Sequence, residues 1–318
     1  MRKKCITWTM LFTFILFFLR GTVFCQNGEI IEKEEIVFTP ETYANILRLG
    51  KILPKLRKFL INTPRRAKQV KVYRITYMSE GIKVKGFLIE PRQERVYPCL
   101  IVNRGGNRDF GAWTEEEVWF LLSEIANWGY IVVASQYRGC GGGEGMDEFG
   151  GKDVNDILSL IPLLETHPKA DANRIGIMGL SRGGMMTYLA LSKTAHFKAA
   201  AVIGGITNLI KWEMARPDIS RVFKELIGGN SKTSLEKLKK RSAVFWPNKL
   251  AKNTPILIIH GTEDEKVPPE QALEMAEALL HVSHPFRLIM LENGDHNLST
   301  FWPEWLNIVH NWFDKYVK

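Results

Sequence analysis

At 318 residues the chain is long enough for one large α/β domain or two smaller ones, and 45% apolar residues suit a globular protein with a substantial core. The formal charge is +9; Arg2, Lys3, Lys4 and Arg20 carry four of these charges, leaving a modest surplus spread over the remainder. Its densest run, Lys237-Leu238-Lys239-Lys240-Arg241, reads as a solvated face, so neither composition nor any motif points to nucleic acid.

Residues 1–25 read as a secretory signal peptide. Arg2-Lys3-Lys4 is a positive start, and Ile6 to Leu19 is an apolar stretch too short for a comfortable membrane span. Export, to the periplasm or beyond, is therefore expected, with cleavage leaving Gln26 first. Membrane association is expected only if this segment is retained or Cys25 is lipidated. Cys99 and Cys140 fall at opposite ends of adjacent predicted strands, too far apart to bridge, and read as a buried thiol and a loop thiol.

Residues 26–65 are charged, with Tyr43, Ile46, Leu47, Leu49 and Ile52 at helical spacing, and read as an N-terminal helical extension. The catalytic domain is placed at 66–318. It opens on two runs of period two, Lys71–Tyr77 and Lys83–Ile89, joined by Ser79-Glu80-Gly81 as a β-hairpin. Strands then alternate with helices. Cys99–Val102, Tyr130–Ala134, Arg174–Met178, Lys198–Ile203, Ile256–Ile259 and Phe286–Met290 read as strands; 115–128, 151–165, 269–281 and 302–316 read as helices. That order gives an α/β fold with a mostly parallel sheet, an antiparallel N-terminal hairpin and helices on both faces. Residues 207–250 interrupt the rhythm as a helical insertion, readable as a substrate-facing cap or as a structural excursion.

The chemistry gathers on Gly179-Leu180-Ser181-Arg182-Gly183-Gly184, which lies between a predicted strand and a predicted helix. In that context G-x-S-x-G is a nucleophile elbow, a sharp turn that raises a serine hydroxyl at a helix N-terminus. A serine needs a base, and the order serine, acid, histidine leaves few choices among seven histidines. His167 precedes the serine. His196 lies on or just past the elbow helix, and His260 ends a strand as a structural residue. His296, in Gly294-Asp295-His296 after the last strand, is the expected base. The acid belongs on the loop after Ile256–Ile259, where spacing alone does not choose among Glu263, Asp264 and Glu265. The oxyanion is expected to meet the N–H of Arg182 and a donor from the loop 104–107, at Gly106 or Asn107. The sequence carries no metal-ligand constellation and no nucleotide-binding fingerprint, so no cofactor is expected.

The motifs Tyr137-Arg138-Gly139-Cys140-Gly141-Gly142, Gly150-Gly151-Lys152-Asp153-Val154-Asn155-Asp156, Ala172 to Gly184, His260-Gly261-Thr262-Glu263-Asp264 with Val267-Pro268, and Gly294-Asp295-His296 resemble, in order, the catalytic domain of the prolyl oligopeptidase family. The resemblance spans about residues 70–316 and implies an α/β-hydrolase fold and a serine hydrolase. Its acid matches Asp264, and its base matches His296. Family peptidases usually carry a β-propeller ahead of this domain, which residues 26–65 cannot build. They often place a tyrosine hydroxyl in the oxyanion hole, where this chain has Arg104. The acidic pair that anchors a peptide N-terminus in its dipeptidyl peptidases has no visible counterpart. A serine hydrolase acting on peptide or ester bonds is expected; a carboxylesterase or acetylesterase is the alternative, and a non-catalytic binding protein on the same fold the second.

Overall fold

The computed structural model describes residues 26–52, 54–228 and 231–318, so the expected signal at 1–25 lies outside the described residues. Nine strands form one sheet: β1 Ile30–Ile36, β2 Val70–Ser79, β3 Ile82–Pro91, β4 Tyr97–Asn103, β5 Ile131–Ser135, β6 Ala170–Leu180, β7 Phe197–Ile203, β8 Ile256–Gly261 and β9 Phe286–Leu291. They lie in the order β1-β2-β3-β5-β4-β6-β7-β8-β9. β1, β2, β3 and β5 pair antiparallel in that succession, and from β5 through β4 to β9 every pairing is parallel.

The parallel strands are apolar because helices cover both of their faces. Every residue of β4 is buried. Alternate residues divide between two cores: Cys99, Ile101, Ile177, Val202 and Ile258 face one, and Leu100, Val102, Met178, Ala201 and Leu257 the other. The first core is closed by the elbow helix Arg182–Leu191, the helix Glu270–His281 and the segment 207–250. The second is closed by Glu304–Tyr316, by the helices Pro40–Ile52, Pro54–Leu60 and Thr63–Ala67, and by a helical run whose middle, Val118–Leu122, is a π-turn.

The N-terminal extension expected at 26–65 is helical from Pro40 onward, but it also carries a strand not expected from the sequence: Ile30–Ile36 is an edge strand. Its sequence, Ile-Ile-Glu-Lys-Glu-Glu-Ile, lacks the alternation of a half-buried strand. It is fixed by its partner instead: Glu34 meets Arg74 at 2.8 Å, and Glu32 meets Thr76 and Lys85 at 2.5 and 3.0 Å. Cross-strand pairing decides such strands more than intrinsic preference, and charge on an outer strand discourages pairing with another chain. Cys140 is in a loop as expected but is fully buried; it and Cys99 are free thiols.

The strand order positions the site. The chain steps from β4 to β5 on one side, then crosses to β6 on the other. In an open α/β sheet the crevice at such a reversal, beyond the carboxyl ends of the strands, is where ligands bind. The loop 104–111 leaves β4 there, and Ser181 leaves β6.

Candidate active site

Ser181 joins β6 to the helix Arg182–Leu191 with φ 56° and ψ −122°, a conformation that non-glycine residues adopt rarely. Neighbouring backbone enforces it. Ser181 N donates to Ile203 O at 2.9 Å, and Gly184 N to Ser181 O at 2.9 Å. A Cβ on Gly179 would lie 2.0 Å from Gly183 O, and one on Gly183 would lie 2.1 Å from Asn103 O. The close approach of strand, helix and β4 therefore requires glycine at both positions, as the motif predicts.

The loops after β8 and β9 are stitched together. Thr262 N donates to Leu291 O and Glu263 N to Gly294 O, each at 2.9 Å, and Asn293 N donates to Thr262 Oγ1 at 2.8 Å. Gly261 permits the contact, since a Cβ there would lie 2.1 Å from Gly294 O. This seam brings His296 Nδ1 to 2.8 Å from Asp264 Oδ2. The other carboxylate oxygen, Oδ1, accepts the N–H groups of Lys266 and Val267 at 2.9 and 2.8 Å. Glu263 and Glu265 are exposed, so burial separates Asp264 from the two carboxylates that spacing could not exclude.

His260 stands on the far side of the same carboxylate. Its Nε2 lies 2.9 Å from Val267 O and 3.2 Å from Asp264 Oδ2. A carbonyl can only accept, so Nε2 carries the proton and shares it between the two oxygens. His260 is thus a buried support of the acid, in keeping with its structural reading. Burial opposes ionisation of Asp264, but the hydrogen bonds from His260 and His296 and the Val267 amide outweigh it and hold the carboxyl well below the usual carboxylate range. A depressed folded-state pKa gives a stabilisation that is complete above the unfolded value, about 3.9, and is lost as pH falls below it. Thermal melts of wild type and Asp264→Asn are therefore expected to differ most above about pH 4 and to converge in stronger acid. A gap that widens as the pH drops would contradict this.

Ser181, Arg182, Asp264 and His296 line one cavity of about 1360 Å³, together with Gly105, Gly106 and Asn107. Its walls are largely apolar. Trp212 and Ile219 come from the insertion 207–250, Phe120 and Leu121 from the π-turn, and Trp302 and Trp305 from the C-terminal segment. Gly204, with φ +54°, closes against the acid and the imidazole: a Cβ there would lie 3.4 Å from Asp264 Oδ2 and 3.5 Å from His296 Nδ1. Among the described residues no hydrogen bond joins Ser181 Oγ to His296. With Nδ1 held by Asp264, Nε2 is the ring nitrogen left for the serine, a contact that in free enzymes is often long and tightens when substrate enters.

The loop after β4 brings Gly105 against the serine; a Cβ on Gly105 would sit 3.2 Å from Ser181 Cβ and 3.7 Å from Oγ. Gly106 has φ +68°, and a Cβ there would lie 1.9 Å from Phe110 O. Asn107 pairs with Phe110 in an isolated antiparallel bridge, in which Asn107 O accepts Phe110 N at 3.0 Å. Gly106 N makes no hydrogen bond with the described residues.

The side chain of Arg182 was not legible as a site element. It is 1% exposed and runs beneath the loop that follows β4. It meets Asp147 Oδ2 at 2.7 Å and Oδ1 at 2.6 Å, donates to Gly106 O at 3.1 Å, and pairs with Asp153. Burial works against its charge, but Asp153 and Asp147 prevail and hold the guanidinium protonated. The only hint in the sequence is that Asp153 belongs to the Gly150–Asp156 motif.

An alcohol at a strained strand-to-helix turn, and an imidazole paired with a buried carboxylate on the two following loops of the sheet, define a serine hydrolase of the α/β-hydrolase class. The Peptidase_S9 model, prolyl oligopeptidase family, matches residues 117–318, and the chain belongs to that family. A second model, acetyl xylan esterase (AXE1), matches residues 52–155. The chain is similar to the uncharacterized peptidase YtmA of Bacillus subtilis, 34% identical over 223 residues, which are 70% of this chain and 84% of that protein. It is also similar to the uncharacterized peptidase YuxL of the same organism, 33% identical over 264 residues, covering 76% of this chain and 39% of the relative. The acylaminoacyl peptidase of Pyrococcus horikoshii superposes with a TM-score of 0.67 at 25% identity, over 81% of this chain and 44% of that one. Apart from YtmA, then, the chain spans less than half the length of these relatives.

Proposed function

We propose that this protein hydrolyses short peptides through an acyl-enzyme on Ser181. In this reading Ser181 Oγ attacks the scissile carbonyl while His296 Nε2 takes its proton. Asp264 holds the imidazole in the tautomer with Nδ1 protonated and stabilises the imidazolium that forms. The oxyanion accepts from the N–H of Arg182 and from the N–H of Gly106. Of the two loop donors expected from sequence, Gly106 is favoured because it directly follows Gly105, which packs against Ser181. His296 then gives its proton to the leaving amine, and water, activated by the same imidazole, releases the acid.

The observation that carries the reading is the His296–Asp264 bond of 2.8 Å in a cavity shared with a serine held at φ 56°. The naming of YtmA and YuxL as peptidases supports a peptide substrate. The acetyl xylan esterase match over residues 52–155 favours a second reading, an esterase for small or carbohydrate esters. Either bond suits the chemistry, since both pass through a tetrahedral oxyanion. A panel of aminoacyl and dipeptidyl anilides against short-chain acyl esters separates them. Turnover of anilides is expected; turnover of esters with every amide untouched would retire the peptidase reading.

A further inference from the structure

Arg104 stands where family peptidases often carry a tyrosine, yet its side chain is 1% exposed. Its guanidinium is held by backbone carbonyls. Nε and Nη2 donate to Gln136 O at 3.1 and 2.8 Å, Nη2 to Arg108 O at 2.6 Å, and Nη1 to Gly105 O at 3.0 Å and Phe110 O at 3.4 Å. The loop 105–110 is therefore folded around the arginine that begins it. The Tyr137 ring lies 5.0 Å from the Arg104 guanidinium and 5.2 Å from that of Arg182, and the Tyr137 hydroxyl donates to Arg104 O at 3.2 Å.

The two arginines grip consecutive peptide planes. Arg104 Nη1 holds Gly105 O at 3.0 Å, and Arg182 Nη1 holds Gly106 O at 3.1 Å. A trans peptide is planar, with its C=O and N–H pointing in opposite directions. Fixing Gly105 O from the Arg104 side thus turns Gly106 N–H the opposite way. Fixing Gly106 O prevents the following plane from rotating. Gly106 needs this restraint, because at φ +68° a glycine has no side chain to limit its backbone.

Resting on the Ser181 assignment above, we propose that the side chains of Arg104 and Arg182 are positioning residues that aim the Gly106 N–H at the developing oxyanion. Arg182 then serves both donors, one with its own N–H and the other through its guanidinium. Asp147 completes the frame: its Oδ2 accepts Arg108 N at 2.7 Å as well as Arg182 Nη1, joining the far end of the loop to the same cation. Preorganised donors of this kind act on the transition state and leave ground-state binding largely untouched.

The test compares an oxygen ester with its thionoester in wild type, Arg104→Lys, Arg182→Lys and Asp147→Asn. Sulfur is a weak hydrogen-bond acceptor, so a well-aimed donor favours the oxygen ester. Arg104→Lys cannot span the four carbonyls with one ammonium. It is expected to lose about 10²-fold in kcat on the oxygen ester with KM within about threefold, and the oxo-to-thiono ratio of kcat/KM is expected to fall at least about tenfold. Arg182→Lys and Asp147→Asn are expected to move the ratio in the same direction, and they carry the test if Arg104→Lys does not fold. A purely structural role would lower melting temperature while leaving the ratio at its wild-type value in every folded variant, and that result would overturn the assignment of the arginines. Turnover by Ser181→Ala equal to wild type would instead remove the nucleophile assignment itself.

Discussion

Replacing His296 by alanine is expected to lower kcat by about 10⁴- to 10⁶-fold, with KM changed far less. In the proposed mechanism the imidazole is the base for Ser181, and its work falls in the transition state, where proton transfer and bond formation coincide. Of the other cavity-lining acids, Glu263, Glu265 and Glu270 are exposed, Glu117 is tied to Thr114 in a helix cap, and Asp295 accepts Ser299 N at 2.7 Å and Ser299 Oγ at 2.8 Å. Asp264→Asn is expected to cost about 10⁴-fold, because an amide facing Nδ1 admits the wrong tautomer. His260→Gln is expected to lose much less, since His260 touches the acid from behind and does not line the cavity. Steady-state kinetics on the best substrate of the panel decides this. A loss under about tenfold in His296→Ala would transfer the base role elsewhere.

The second large effect concerns stability. Arg182→Met is expected to destabilise the fold by about 3–5 kcal/mol, because it leaves Asp147 and Asp153 buried without their cation. Their remaining hydrogen-bond partners are backbone amides: Arg108 N and Phe149 N on Asp147, and Gly150 N on Asp153. The melting temperature should fall by on the order of 10 °C. Arg221→Ala is the control: Arg221 is 86% exposed in its pair with Glu225, and an exposed pair of this kind is worth about 0–1 kcal/mol. Thermal or urea melts read both variants, and similar small losses would show that the buried cluster is not what holds the oxyanion loop to the elbow helix.

Sequence resolved some of these features and not others for physical reasons. β4, β5, β7 and β8 could be read because strands buried on both faces are continuous apolar runs. The elbow could be read because steric crowding at Gly179 and Gly183 admits no other residue. β1 could not, since its sequence is mostly charged and the partners of Glu32 and Glu34 lie some forty to fifty positions away. β6 extends beyond Arg174–Met178 to Ala170–Leu180, its added N-terminal residues, Ala170 to Asn173, being small or polar with none of them buried. Spacing left three adjacent carboxylates after β8 equal, and resemblance alone chose among them; burial and two histidines distinguish Asp264. The buried contacts of the Arg104 and Arg182 side chains were invisible for a different reason. Buried arginines are chosen by partners that lie 32, 35 or 29 residues away, and no local period marks them.

Labelling with a serine-directed fluorophosphonate, followed by peptide mass spectrometry, addresses the convergence of hydroxyl, imidazole and carboxylate most directly. The reagent reports whether one hydroxyl is activated before any substrate is known. Wild-type protein should carry a single adduct on Ser181, Ser181→Ala none, and His296→Ala an adduct that forms slower by at least about 10²-fold. An unlabelled wild type, or labelling of Ser181→Ala at the wild-type rate, would contradict the account.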